Sequence, residues 1–320
     1  MTTLSERLLR GDRRALARLV TLIENDAPQA RTCLTELHPH SGQAHIIGVT
    51  GSPGAGKSTL VTHLVREFRK EERRVGVVAI DPSSPFTGGA LLGDRIRMME
   101  LAGDPDVFIR SMASRGNLGG LSASTRDVIR AMDAAGYNPI IVETVGTGQA
   151  EVEVMRTAQT VLVVMAPGMG DDIQAIKAGI LEIADIFVVS KADKPDANRT
   201  AAELSMMLSL DPHRRQARWR IPIIKTSMLR EQGITELTST IHSHLEFLRN
   251  SGMLAQRTQR QIQSELQNLI VQAVTRTLHN TLSKEEWQQI STEIVERKRD
   301  PYTVAEELQE RIGFLPHNAQ

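Results

Sequence analysis

Ile46-Ile-Gly-Val-Thr-Gly-Ser-Pro-Gly-Ala-Gly-Lys-Ser-Thr59 is the stretch that decides the fold. Its segment Gly51–Ser58 fits G-x-x-x-x-G-K-[ST] in full, after an apolar run and at the start of a helical pattern, the context this motif requires. Gly51, Ser52, Pro53, Gly54, Ala55 and Gly56 are expected to turn main-chain N–H groups inward around phosphate oxygens, where a Cβ on a glycine would obstruct. Lys57 supplies a point charge for β- and γ-phosphates, and Ser58 a hydroxyl for Mg²⁺. Thr59 completes the expected nucleotide-binding set, and the helix N-terminus adds partial positive charge.

Outward from this loop, short apolar runs alternate with helical patterns. The runs are 46–50, 75–80, 107–110, 140–143, 161–165, 186–190 and 221–226, and the helical patterns fall at 57–70, 122–135, 172–182, 197–209 and 233–248. Near-continuous apolar strands alternating with helices predict an α/β fold: a P-loop domain with a mostly parallel, doubly wound sheet. Residues 3–25 carry leucines and other apolar residues at helical spacing, with Asp12 placed to cap the second piece. Beyond Ser251-Gly252, one long helix carries Ile262, Leu266, Leu269, Ile270, Ala273, Val274 and Leu278 on one face, with two shorter helices after it, the last opened by Pro301. This Gln-rich stripe reads equally as a cap on the domain or as a dimerisation arm. The expected division is a helical N-terminal extension at 1–42, a P-loop GTPase domain at 43–250 and a C-terminal helical dimerisation arm at 251–320.

Composition narrows the function classes. The 320 residues carry 38 Lys plus Arg against 38 Asp plus Glu, so whole-molecule charge gives no reason to expect nucleic acid or a membrane surface as partner. Aromatic residues are 3%, too few for base-stacking platforms. Cys33 is the only cysteine, which excludes an internal disulfide and any thiolate-rich metal site, and it is expected to be a small packed residue in the N-terminal helices. No stretch approaches the ~18 apolar residues that span a bilayer. No secretory pattern opens the chain, and a reducing, cytoplasmic setting is the expectation.

Acids at strand ends supply the metal side. Asp81 follows the run 75–80, Asp94 follows Gly93, and Glu143 ends the run 140–143. In a doubly wound sheet these carboxyl ends form the rim where phosphates lie, and a hard cation takes such oxygen ligands. Gly146 and Gly148 flank Thr147, a turn able to bring an N–H to a γ-phosphate, and Gln149 is placed to orient water. Ser190-Lys191-Ala192-Asp193 follows another apolar run. A carboxylate at Asp193 accepts from both the N1–H and the N2 amine of guanine, a pair adenine lacks, and Lys191 can lay its stem along the base. The usual motif begins with Asn, which ties this loop to the phosphate loop, whereas Ser190 has a shorter reach. Ser227 and Met228, in Thr226-Ser-Met228, are placed to offer backbone contacts to the base.

Beyond these motifs, Asp81-Pro-Ser-Ser-Pro-Phe-Thr-Gly-Gly-Ala-Leu-Leu-Gly-Asp94, Arg97-Met98, Leu118-Gly-Gly120, Glu143-Thr-Val-Gly-Thr-Gly-Gln-Ala-Glu151 and Pro167-Gly-Met-Gly-Asp-Asp-Ile-Gln174 together resemble the MeaB (ArgK-type) GTPases. The resemblance is strong over about 45–250. It implies GTP/GDP with Mg²⁺, held by Ser58, Asp81, Asp94 and Glu143. It also implies a nucleotide-sensing switch at 144–151 and a further switch from Ala166 to Lys177. Lys57, Asp81, Asp94 and Glu143 would form the catalytic set. The family resemblance also implies a homodimer through the C-terminal helices. As a partner it implies an adenosylcobalamin-dependent acyl-CoA mutase, methylmalonyl-CoA mutase first, protected by the chaperone and gated in cofactor loading. Ser190, and Pro85-Phe86 in the Asp81 block, depart from the family pattern. Arg97 and Arg115 are the candidate arginine fingers, each more readily read as structural. The rival readings are an ATP-dependent kinase of a transport-associated protein, a GTPase delivering nickel or zinc, and a binding module that does not hydrolyse GTP.

Overall fold

A computed structural model describes residues 2–82, 99–101, 103–114, 118–144, 155–168, 183–210 and 218–313. Seven parallel strands form one sheet: β1 (Ile46–Gly51), β2 (Val75–Pro82), β3 (Val107–Ser114), β4 (Ile140–Thr144), β5 (Thr160–Met165), β6 (Ile186–Val189) and β7 (Ile223–Lys225), in the order β3-β2-β4-β1-β5-β6-β7. Each expected run becomes a strand. β2 runs two residues past its expected end, so Asp81 lies within the strand and pairs with Ala113. The helical pattern at 172–182 lies outside the described residues.

The near-continuous hydrophobicity of the strands has a direct cause, because both faces are covered and successive side chains enter different cores. In β5, Val161, Val163 and Met165 join one core while Leu162 and Val164 join the other; in β4, Ile140 and Val142 oppose Ile141. Helices α4 (Lys57–Lys70) and α7 (Ile234–Asn250) bury Leu60, Leu64, Phe68, Leu237 and Ile241 in the second core. The first core takes Val128 and Met132 from α5 (Leu118–Ala134), and Leu204 from α6 (Ala197–Leu210).

The N-terminal helices α1 (Leu4–Leu9), α2 (Arg13–Glu24) and α3 (Pro28–Leu37) contribute Leu8, Leu16, Leu19, Val20, Cys33 and Leu37 to that same first core. Asp12 caps α2, its Oδ1 accepting from the N–H groups of Arg14 and Ala15 at 2.8 and 3.2 Å. The segment after α3 is pinned to α5, where the Asp133 carboxylate accepts from the N–H groups of Gly42, Gln43 and Ala44.

The chain separates into two compact units, Met1–Thr258 and Gln259–Gln320. Helix α8 (Met253–Thr281) begins in the first and continues through the second, followed by α9 (Lys284–Val295) and α10 (Pro301–Arg311). Among the described residues, no helix is long and apolar enough to cross a membrane.

Candidate nucleotide-binding site

β1 sits between β4 and β5, where the strand order reverses, and its carboxyl end therefore opens onto the crevice in which doubly wound sheets bind ligands. Gly51 ends the strand at φ +138°, and a Cβ there would stand 2.0 Å from the Val164 carbonyl oxygen, so the exit from β1 accepts glycine alone. Gly56, at φ +88°, is the left-handed cap from which α4 starts. Lys57 is buried, with Nζ donating to Gly51 O at 2.7 Å and Ser52 O at 3.0 Å. Pro53, Gly54 and Thr59 are exposed, while Ser52, Ala55 and Ser58 are buried.

Ser58 Oγ donates to Glu143 Oε1 at 2.6 Å. Sequence separates these residues by 85 positions, and the pairing of β1 with β4, Val49 beside Glu143, brings them together. Next along β4, Thr144 Oγ1 donates to Thr50 Oγ1 at 3.1 Å, which ties the strand ends together where residues 145–151 begin. A buried hydroxyl and a buried carboxylate oxygen at one rim fit the hard oxygen donors that Mg²⁺ prefers. The backbone of Asp81 lies on neighbouring β2; Asp94, Gly146, Thr147, Gly148, Gln149, Arg97, Arg115, Pro85, Phe86 and Lys177 lie outside the described residues.

The base-side residues converge from β6 and β7. Ser190 Oγ donates to Ala55 O at 2.6 Å and to Met165 O at 3.0 Å. The serine therefore does reach the phosphate loop, because β5 and β6 carry it close to the backbone at Ala55. Lys191, held at φ +51°, donates from Nζ to Gly54 O at 2.8 Å. Ser227 Oγ donates to Asp193 Oδ1 at 2.6 Å, and this bond leads in holding the Asp193 carboxyl below its usual range. Met228 packs partly buried against the second core. Sequence reading gave Ser227 and Met228 only main-chain roles; the side-chain bond from Ser227 to Asp193 and the acceptor roles of Gly54 and Ala55 carry no linear signature.

Residues 16–283 match the family model described as methylmalonyl Co-A mutase-associated GTPase MeaB. The chain belongs to the MeaB GTPase family. It is a P-loop GTP hydrolase that binds guanine nucleotide. A Pyrococcus abyssi relative whose name places it among GTPases is 49% identical over 312 residues, covering 97% of this chain and 96% of that one. GTPase ArgK of Escherichia coli is 39% identical over 261 residues, 80% of this chain and 79% of that one. The mouse methylmalonic aciduria type A homolog, described as mitochondrial, is 34% identical over 284 residues, 83% of this chain and 68% of that one. Among solved structures, a LAO/AO transport system kinase superposes with a TM-score of 0.74 at 28% identity, covering 97% of this chain and 96% of the other.

Proposed function

We propose that this MeaB-family GTPase is a cytoplasmic, Mg²⁺-dependent chaperone of an adenosylcobalamin-dependent acyl-CoA mutase, methylmalonyl-CoA mutase first, and that it acts as a homodimer. The observation that carries the reading is the match of 16–283 to a GTPase family described by its association with that mutase. The mouse relative, named for methylmalonic aciduria, points the same way.

In this reading the main-chain amides of 51–56 and the Lys57 ammonium would hold the β- and γ-phosphates, and Ser58 and Glu143, with Asp81 and Asp94, would hold Mg²⁺. Mg²⁺ supplies charge neutralisation on the phosphate oxygens when bound. Water attacks the γ-phosphate in line as the bond from the γ-phosphorus to the β–γ bridging oxygen breaks, giving GDP and inorganic phosphate, and the chain contributes positioning and fixed positive charge rather than covalent chemistry. The N–H of Gly146 senses the γ-phosphate, and loss of that phosphate releases the segments 144–151 and 166–177 toward the mutase.

The test is a pull-down with the cell's own cobalamin-dependent mutases, with the chain loaded with GDP or with a non-hydrolysable GTP analogue. A mutase retained in one nucleotide state and released in the other is expected; none retained in either state removes the chaperone role and leaves the GTPase. The kinase named among the solved structures supports a second reading, ATP-dependent phosphoryl transfer to a protein. The carboxylate of Asp193 disfavours it, and competition of ATP against GTP for binding decides between them.

A further inference from the structure

Thr226 follows the last strand of the sheet and is fully buried, yet its hydroxyl meets no hydrogen-bond partner among the described residues. A buried hydroxyl left without a partner carries its desolvation cost uncompensated. The backbone of Thr226 is fully used, its N–H donating to Val189 O at 2.8 Å and its carbonyl accepting from the Ala192 N–H at 3.0 Å. Those two bonds bracket residues 190 and 191, so Ser190 lies beside Thr226 across the ladder. Ser190, itself 4% exposed, has one hydroxyl proton, shared between Ala55 O at 2.6 Å and Met165 O at 3.0 Å. The inner tether between base loop and phosphate loop therefore runs through a single shared proton. The outer one is the lysine bond from Lys191 to Gly54 O.

We propose that Ser190 sets how tightly this chain holds guanine nucleotide: it is a one-proton latch between the two loops, and the Thr226 hydroxyl beside it is the unused half of a stronger latch that this chain does not form. A carboxamide at position 190 brings two N–H donors and a carbonyl acceptor, enough to serve Ala55 O and the Thr226 hydroxyl together. The stronger latch pre-orders Lys191 and Asp193, so less ordering cost falls on nucleotide binding. The serine leaves the latch weak and the nucleotide quick to exchange. Ser190 is a positioning residue, and the proposal rests on guanine nucleotide occupying the site described above.

The test uses the full chain with Ser190→Asn, Thr226→Val, both together, and Ser190→Ala. Affinity and dissociation rate are read with fluorescent GDP, base preference by ATP competition, and folding by the melting temperature without nucleotide. Ser190→Asn is expected to tighten GDP binding and slow its release by roughly three- to tenfold, the worth of one added hydrogen bond. GTP stays preferred over ATP. Thr226→Val alone shifts neither quantity by more than about twofold, because no bond is lost, and in the double variant it cancels most of the gain. Ser190→Ala speeds release by a factor similar to that gained by Asn.

A Ser190→Asn variant that melts like the parent but releases GDP no more slowly overturns the proposal, as does a Thr226→Val variant that weakens binding by itself. Should Ser190→Asn not fold, Ser190→Ala carries the test, and parental release from it overturns the latch. A parent chain that binds no guanine nucleotide overturns the site reading and this proposal with it. Binding by the parent with unmoved variants overturns the latch alone.

Discussion

Guanine offers two adjacent N–H donors, and a carboxylate is the side-chain group that accepts both. Ser227 donates to one oxygen of Asp193 and leads in holding the carboxyl below its usual range, leaving the group poised as an acceptor. Asp193→Asn replaces an acceptor with a donor that faces a donor on the base. GTP affinity is expected to fall by about a hundredfold or more, with a relative gain for xanthine nucleotide, which carries a carbonyl at that position; competition against fluorescent GDP measures both. His45 gives a prediction of a different kind. Its Nε2 lies 2.8 Å from Thr160 Oγ1, and burial leads in pushing its pKa down from 6.5 to about 3. As pH falls from 6.5 toward 3, the unfolded chain takes up a proton that the folded chain refuses, so stability drops by at most roughly 1.4 kcal/mol per pH unit. His45→Gln removes that slope: urea midpoints taken from pH 7 to 4 should decline less steeply than in the parent, and parallel declines would contradict the assignment. Lys57, Ser58, Glu143 and Asp193 were legible from residue type and place in a motif. The partners that fix them were not, because Glu143 reaches Ser58 over 85 positions and Ser227 reaches Asp193 over 34.

At the scale of elements, strand and helix positions follow from patterns within a few residues of one another. Alternating burial on the two sheet faces made each strand a continuous apolar run, and the caps of the helices stand beside the residues they serve. The exit from β1 is stricter than its pattern suggests. Gly51→Ala places a Cβ 2.0 Å from a carbonyl of the neighbouring strand, backbone against which nothing can rotate away. The expected cost is several kcal/mol, a large part of a typical domain's stability, read as loss of folded protein by circular dichroism rather than as a change in KM alone. The ends of elements were less legible: β2 continues through Asp81 to Pro82 because β3 supplies partners as far as Ser114, a pairing between segments remote in the chain.

Over the whole molecule, a buried polar chain joins elements far apart in sequence. Thr160 Oγ1 lies between His45 and His244, His244 Nε2 stands 3.4 Å from Asp185 Oδ1, and Arg257 in the first turns of α8 pairs with both Asp185 oxygens at 2.8 and 3.1 Å. Burial works to raise the Asp185 pKa, but the His244 ring beside it and the bonds from Arg257 outweigh it and hold the carboxyl low. Arg257→Ala strips that buried carboxylate of its guanidinium, and a loss of about 2 kcal/mol is expected from urea unfolding at pH 7. Along the same helix Ile262, Leu266, Leu269 and Ile270 are each about half exposed. If this face meets a second copy, Leu266→Glu with Ile270→Glu halves the mass seen by light scattering while leaving GTP binding intact; an unchanged mass excludes this face as the dimer contact. The sequence alone determined the phosphate loop, the alternation of strands and helices and the family, since each is written in contiguous residues whose backbone or periodicity acts locally. Tertiary structure alone decided that Ser190 reaches Ala55, that the Thr226 hydroxyl is left without a partner among the described residues, and that Arg257 closes on Asp185. Hydrogen bonds of that kind depend on the distance between strands and helices brought together only by the packed sheet.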